Sequence, residues 1–146
     1  MVFFKMIGNL DKLPLLDLAV LYFKELLKEY GRHFDIIEPP PEVKKRKLLS
    51  FILFIRETGE RWGCLIKDWK RSIGSDLIIR FKRVIDYLQL TSGIIIGNRI
   101  SELALDQAKR YKLIAITRGE IISYLYSRGV HRKPDVINKK TKDIES

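Results

Sequence analysis

An apolar run that ends abruptly in charge is the feature that most constrains this chain. Residues 63–66 read GCLI, and residues 67–71 read KDWKR. A short apolar run of this kind predicts a buried β-strand. The strand would deliver a charged cluster with one aromatic side chain to the edge of a sheet, so we expect functional residues at that edge.

A β-hairpin contains this run. Residues 48–56 (LLSFILFIR) and 61–67 (RWGCLIK) are rich in branched and aromatic side chains, and the turn signal ETGE separates them. Neither segment alternates cleanly between apolar and polar residues, which predicts a sheet covered on both faces. Upstream we expect an amphipathic helix over residues 13–30, a short strand over 33–38 and a basic linker over 42–47.

Helices and strands alternate after the hairpin. The pattern predicts a helix capped by Ser75, a strand over 93–97, a helix capped by Ser101, a strand over 112–116 and a last helix that begins with a capping box at Thr117 and Glu120. Such alternation predicts parallel strands with right-handed crossovers. Ligands bind beyond the carboxyl ends of the strands in open sheets of this kind. The loops at 67–71, 98–99 and 117–118 should therefore converge.

Length and composition set the domain organisation and the class of partner. With 146 residues the chain fits one domain, which we assign to residues 1–129, followed by a basic mobile tail over 130–146. The net charge of +10 and the pI of about 9.8 indicate a polyanionic partner, nucleic acid first and an acidic membrane surface second. Solubility alone is the simpler explanation of the charge. No stretch is long and uncharged enough to span a membrane.

Two further features of composition concern the setting. Cys64 is the only cysteine, so no disulfide can form within the chain, and a cytoplasmic location is expected. Isoleucine, lysine, arginine and glutamate are plentiful, whereas asparagine and glutamine are scarce. This is a hyperthermophile-like composition.

The residues that follow the hairpin complete a family pattern. Residues 93–121 read GIIIGNRISELALDQAKRYKLIAITRGEI, which is a strand, a polar residue, a serine-capped helix with alanines, a strand and a terminal acid. Together with the hairpin this resembles the PD-(D/E)XK restriction-endonuclease-like superfamily, in particular its Mrr-type and archaeal members. The resemblance spans residues 45–125. It implies an α/β fold, a mixed sheet flanked by helices, with strand 61–67 antiparallel to 48–56 and parallel to 93–97.

The resemblance also implies where a nuclease site would lie. Such nucleases place an Asp in the first hairpin strand and an acid-x-Lys run along the second, so that two carboxylates hold Mg²⁺. Here Lys67 matches the lysine, but the acid position falls on Leu65 and the upstream Asp near Phe51 or Ile52. Of the residues that the nuclease pattern requires, this alignment matches only the lysine. This alignment predicts a degenerate nuclease fold with no cofactor and no efficient cleavage.

A second alignment keeps cleavage open. Asp68, Trp69 and Lys70 form an acid-x-Lys triplet of their own. A second carboxylate would then be needed, and the candidates are Asp35, Glu57 and Asp76. This alternative predicts a Mg²⁺-dependent DNA endonuclease in which Asp68 binds the metal and Lys70 or Lys67 assists catalysis.

The favoured interpretation is a protein that binds nucleic acid, with DNA as the first candidate. The residues predicted to contact it are Lys67, Trp69, Lys70, Arg71, Asn98, Arg99 and Arg118, with Lys44, Lys45, Arg46 and Lys47 of the linker. Trp69 could stack on a base, or it could be a packed anchor within a solvated rim. Arg80 and Arg83 suggest a second basic face.

A protein-interaction module is the competing class of function. It predicts an exposed apolar patch on the 13–27 helix and no salt-sensitive affinity for nucleic acid. Because related nucleases often act as dimers, the resemblance also implies a homodimer as a candidate state.

Overall fold

A mixed sheet forms the centre of the protein. The computed structural model describes residues 9–130, so the tail predicted from residue 130 onward lies, apart from Val130, outside the described residues. The strands lie in chain order: β1 (Phe34–Ile37), β2 (Phe51–Ile55), β3 (Arg61–Lys67), β4 (Ser92–Gly97) and β5 (Ile114–Thr117). β2 pairs antiparallel with β1 and β3, whereas β4 pairs parallel with β3 and β5.

Helices cover both faces of this sheet. They are α1 (Leu15–Glu29), α2 (Pro41–Lys44), α3 (Ser75–Tyr87), α4 (Glu102–Arg110) and α5 (Arg118–Ser127). The predicted α/β class, a mixed sheet flanked by helices, is confirmed, as are the strand directions on either side of β3. None of the helices within residues 9–130 is long and apolar enough to cross a membrane.

Each face of the sheet buries its own apolar cluster. One cluster packs α3 and α4 on the sheet and includes Leu65, Phe81 and Ile95. The other packs α1 and α5 on the opposite face and includes Phe23 and Cys64. Because side chains alternate along a strand, neighbouring positions of β3 enter different clusters. The prediction that both faces are covered is confirmed, and it explains why β3 reads as a continuous apolar run.

Glycines bring α3 close to the sheet. Gly63 of β3 lies opposite Gly93 of β4 in the parallel register. A Cβ atom at Gly93 would come within 2.7 Å of the Phe81 ring of α3, so only glycine permits this close approach. The start of α3 is held at the carboxyl end of β4 by a parallel bridge between Ile73, just before the helix, and Ile100.

The main differences between the predicted boundaries and the structure concern the linker, β2, the start of α3 and β5, which spans Ile114–Thr117 instead of residues 112–116. The basic linker contains a short helix, α2, because Pro41 suits the first turn of a helix rather than stopping one. β2 begins at Phe51 instead of residue 48, since Lys47 adopts a positive φ of 56° and the chain turns there. The N-cap of α3 is Gly74, which makes no side-chain capping bond, and Ser75 is the first helical residue.

Candidate nucleic-acid interface

Three strands deliver loops to one edge of the sheet. Lys67 of β3 pairs with Gly97 of β4, and Gly97 pairs with Thr117 of β5. The strands are parallel, so the residues that follow each of them lie side by side. The capping bonds predicted at Ser101 and Thr117 are present at the starts of α4 and α5. The structure therefore brings the three loops together, as the sequence indicates.

Asp68, Asn98 and Arg118 form a hydrogen-bonded network at this edge. Asn98 donates from Nδ2 to Asp68 Oδ1 at 2.9 Å and to the Trp69 carbonyl at 2.7 Å. Arg118 donates from Nε to Asn98 Oδ1 at 2.6 Å, and its Nη2 lies 3.4 Å from Asp68 Oδ1. The bond from Asn98 is the main reason why the pKa of Asp68 lies below its usual range, with smaller effects from Leu15 N–H and Arg118.

The same network holds the start of the first helix. The Leu15 N–H donates to Asp68 Oδ2 at 3.2 Å. Arg118 Nη1 donates to the Leu13 carbonyl at 2.8 Å, and only 22% of the Arg118 side chain is exposed. Asp68, Asn98 and Arg118 therefore fix α1 against the sheet edge. Asn98 and Arg118, both predicted to contact nucleic acid, direct these donors into the protein.

Lys67 and Trp69 lie on the other side of the sheet, towards α3. Trp69 packs against the apolar cluster under α3 and α4. Its ring centroid lies 4.0 Å from Arg71 Cζ and 5.3 Å from Lys67 Nζ, so two cations contact one fixed ring. Lys67 Nζ also donates to the Lys47 carbonyl at 2.9 Å. Trp69 acts here as a packed anchor that positions cations.

Lys47, Lys67, Arg71 and Arg80 together form what we call the basic cluster. Partial burial lowers the pKa of Lys67, and the nearby charges of Lys47, Arg80 and Arg71 lower it further. Asp76 is the carboxylate paired with the cluster, 3.4 Å from Arg80 Nε and with a side chain 86% exposed. Positive charge therefore exceeds negative charge at this point of the edge.

Arg80 belongs to this cluster rather than to the separate basic face predicted with Arg83. The sequence does indicate this position of Arg80. The residue lies in the second turn of α3, and that helix begins at the edge where β3 ends. Of the predicted linker contacts, Lys47 joins the cluster, while Lys44 donates to Glu38 at 2.8 Å. The remaining predicted contacts Lys45, Arg46, Lys70 and Arg99 are exposed.

The positions that would carry nuclease carboxylates do not suit Mg²⁺. Ile52 and Leu65 are 6% and 1% exposed within the apolar cluster under α3. Lys67 points to that same face, where the neighbouring charges are positive, so a divalent cation would be repelled. Within residues 9–130 no three His, Cys, Asp or Glu side chains lie close enough to hold a metal ion.

The second alignment also lacks its partner carboxylate. Asp35 binds Arg56, and Glu57 accepts hydrogen bonds from His33 that lower the pKa of Glu57 to about 2. Both lie at the hairpin-turn end of the sheet, opposite Asp68, since Asp35 pairs with Phe54. The proposed partnership of Asp68 with Asp35 or Glu57 is therefore wrong. Asp76, the third candidate, lies across the sheet on α3.

A groove on the α1 side of the sheet is mostly apolar. Its volume is about 820 Å³, and Leu16, Val20, Ile36, Phe51 and Ile66 contribute to its walls. Half of the Leu16 side chain is exposed. Three carboxylates, those of Asp17, Glu38 and Asp68, also line the groove. The basic cluster, by contrast, lies on the opposite face, so the two surfaces are separate.

Comparisons with known proteins assign the chain to no family. No protein-family model matches the chain, and no curated protein matches it. Among solved structures, the chain is similar to the MspJI restriction endonuclease in complex with a 27-mer oligonucleotide, with a TM-score of 0.48 and 14% sequence identity. The match covers 74% of this chain and 26% of that chain, so this chain spans about a quarter of its length.

Proposed function

We propose that this protein binds DNA through the carboxyl edge of its parallel strands. The observation that carries the proposal is the basic cluster, in which Lys67 and Arg71 lie against the Trp69 ring and the charges of Lys47 and Arg80 act on Lys67. Arginine and lysine are the usual partners of backbone phosphates. Exposed Lys70 and Arg99 extend the positive surface along the edge.

Electrostatics explains why the cluster favours an anion. Partial burial is the main reason why the pKa of Lys67 falls, and the neighbouring cations lower it further because each one raises the cost of holding the next one charged. A bound phosphate reverses that effect and strengthens the hydrogen bonds that the cations donate. Lys67 and Arg71 already contact the Trp69 ring before a ligand binds, so less side-chain freedom is lost on binding.

We also propose that binding occurs without efficient Mg²⁺-dependent cleavage. Support comes from the apolar side chains at positions 52 and 65 and from the engagement of Asp68 by Asn98 and Leu15. Mg²⁺ dehydrates reluctantly and needs one or two well-placed carboxylates. The charged side chains around Lys67 are cations, which suit the binding of phosphate and not the binding of a metal ion.

Arg71→Gln should weaken DNA binding about three- to tenfold and reduce the salt dependence by about one counterion. The reason is the loss of one phosphate-binding guanidinium that is stacked on Trp69. The measurement is fluorescence anisotropy with a labelled duplex at several salt concentrations. Arg61→Gln is the matched control, because Arg61 begins β3 at the opposite end of the sheet. Equal losses in both variants would show that net charge, and not the edge, drives binding.

The groove beside α1 supports a protein-interaction module as the second candidate. It is apolar, exposed and separate from the basic cluster, and it includes the α1 residues Leu16 and Val20. Under that function, DNA affinity at low salt would be absent, and Leu16→Ser would release a protein partner. A homodimer formed through this groove would dissociate in the same variant, as measured by light scattering.

A further inference from the structure

The basic cluster is compact rather than extended. Arg71 and Lys67 contact the same indole ring, and Lys67 is tethered to the carbonyl of Lys47. The internal phosphates of a nucleic-acid strand are spaced along its backbone. A protein surface that binds several of them needs cations spread along a groove. A concentration of cations at one point fits one phosphate group of higher charge.

Charge distinguishes the two kinds of phosphate that a nucleic acid presents. An internal phosphodiester carries one negative charge, whereas a terminal phosphomonoester approaches two above its second pKa of about 6. The basic cluster has four positive groups, and Asp76 offsets part of that charge through Arg80. The positive charge of the cluster is therefore much larger than the single negative charge of an internal phosphodiester.

We infer that the basic cluster binds the terminal phosphate of a nucleic-acid strand. This inference rests on the proposed function, since it names the part of the nucleic acid that the same site takes. Arg71 supplies a planar fork for two phosphate oxygens, and Lys67 supplies a point charge beside it. The remaining exposed cations of the edge, Lys70 and Arg99, would then contact the adjoining backbone.

The test compares duplexes that differ only at their ends. Fluorescence anisotropy is measured at pH 7.5 with duplexes carrying a 5′-phosphate, a 3′-phosphate or hydroxyls, and with a closed dumbbell that has no end. We expect about tenfold tighter binding of at least one phosphorylated duplex than of the hydroxyl duplex. Lys67→Met and Arg71→Gln should remove that ratio, whereas Arg61→Gln should retain it. Circular dichroism checks that each variant is folded.

Lowering the pH gives an independent readout. The charged groups facing Lys67 are Lys47, Arg71 and Arg80, with Asp76 on the same helix as Arg80, and none of them is a histidine. The terminal phosphate gains a proton below pH 6, so the ratio should fall towards one at pH 5. Equal affinity for all ends at pH 7.5 would overturn the inference while leaving DNA binding intact. Absence of binding to every duplex would overturn both.

Discussion

Arg118→Met is expected to lower the free energy of unfolding by about 2–3 kcal/mol, as measured by urea denaturation. The side chain is only 22% exposed and donates to Asn98 Oδ1 and to the Leu13 carbonyl. Methionine fills much of the same volume but donates nothing. The substitution would leave Asn98 Oδ1 and the Leu13 carbonyl without this donor, whereas Asp68 would keep the hydrogen bonds from Asn98 and Leu15.

The arginine that follows the last residue of the same helix provides the control. Arg128 lies next to the end of α5, where it pairs with Glu29 at 3.1 Å with 40% of its side chain exposed. Solvent-exposed pairs of this kind contribute about 0–1 kcal/mol, so Arg128→Met should cost much less. DNA affinity of folded Arg118→Met should fall less than that of Arg71→Gln. The opposite order would make Arg118 a phosphate ligand and not a support for α1.

The sequence predicts most of the fold because its local signals agree with its tertiary packing. The β3 boundaries follow from an apolar run that stops at charge, and the capping box at Thr117 marks the start of α5. α2 was missed, since three consecutive prolines indicate a break in the chain as readily as a helix start. The limits of the domain and the tail, and the Mrr-type assignment, stay predictions.

The sequence predicts the site only in outline. Its two parts, the hydrogen-bonded network of Asp68 and the basic cluster, lie on opposite faces of the sheet at the end of β3. The side chains of consecutive residues continue to point to opposite faces just beyond the end of β3. Lys67 and Asp68 therefore face different helices, although they are neighbours in sequence. The contacts that decide their roles are distant: Asp68 accepts from Leu15, 53 residues away. Arg80 lies near Lys67 because α3 begins at the carboxyl end of the parallel strands, where Ile73 bridges to Ile100. None of these pairings has a local sequence signature.

The most consequential expected result is negative: no cleavage of plasmid, single-stranded or branched DNA above the buffer rate with Mg²⁺ or Mn²⁺. Asp68 is the carboxylate at the edge that the second alignment requires. Its Oδ1 accepts from Asn98 at 2.9 Å and its Oδ2 from Leu15 N–H at 3.2 Å. A metal ion would have to displace these donors, and Lys67, Lys70 and Arg71 nearby would repel it.

Asp68→Asn and Lys67→Met make this experiment decisive. Asn keeps the size of Asp68 and removes its charge, so it tests the metal ligand with the least disturbance of the network that holds α1. Lys67→Met tests the lysine of the first alignment, next to the buried Leu65. Cleavage by the wild-type protein that disappears in Asp68→Asn would establish the endonuclease alternative. Asp68→Asn should keep the DNA binding of the wild-type protein, Lys67→Met should bind DNA more weakly because it loses a cation of the basic cluster, and none of the three proteins should cleave. Lys67 and Arg71 beside Trp69 attract phosphate and repel the metal that hydrolysis needs.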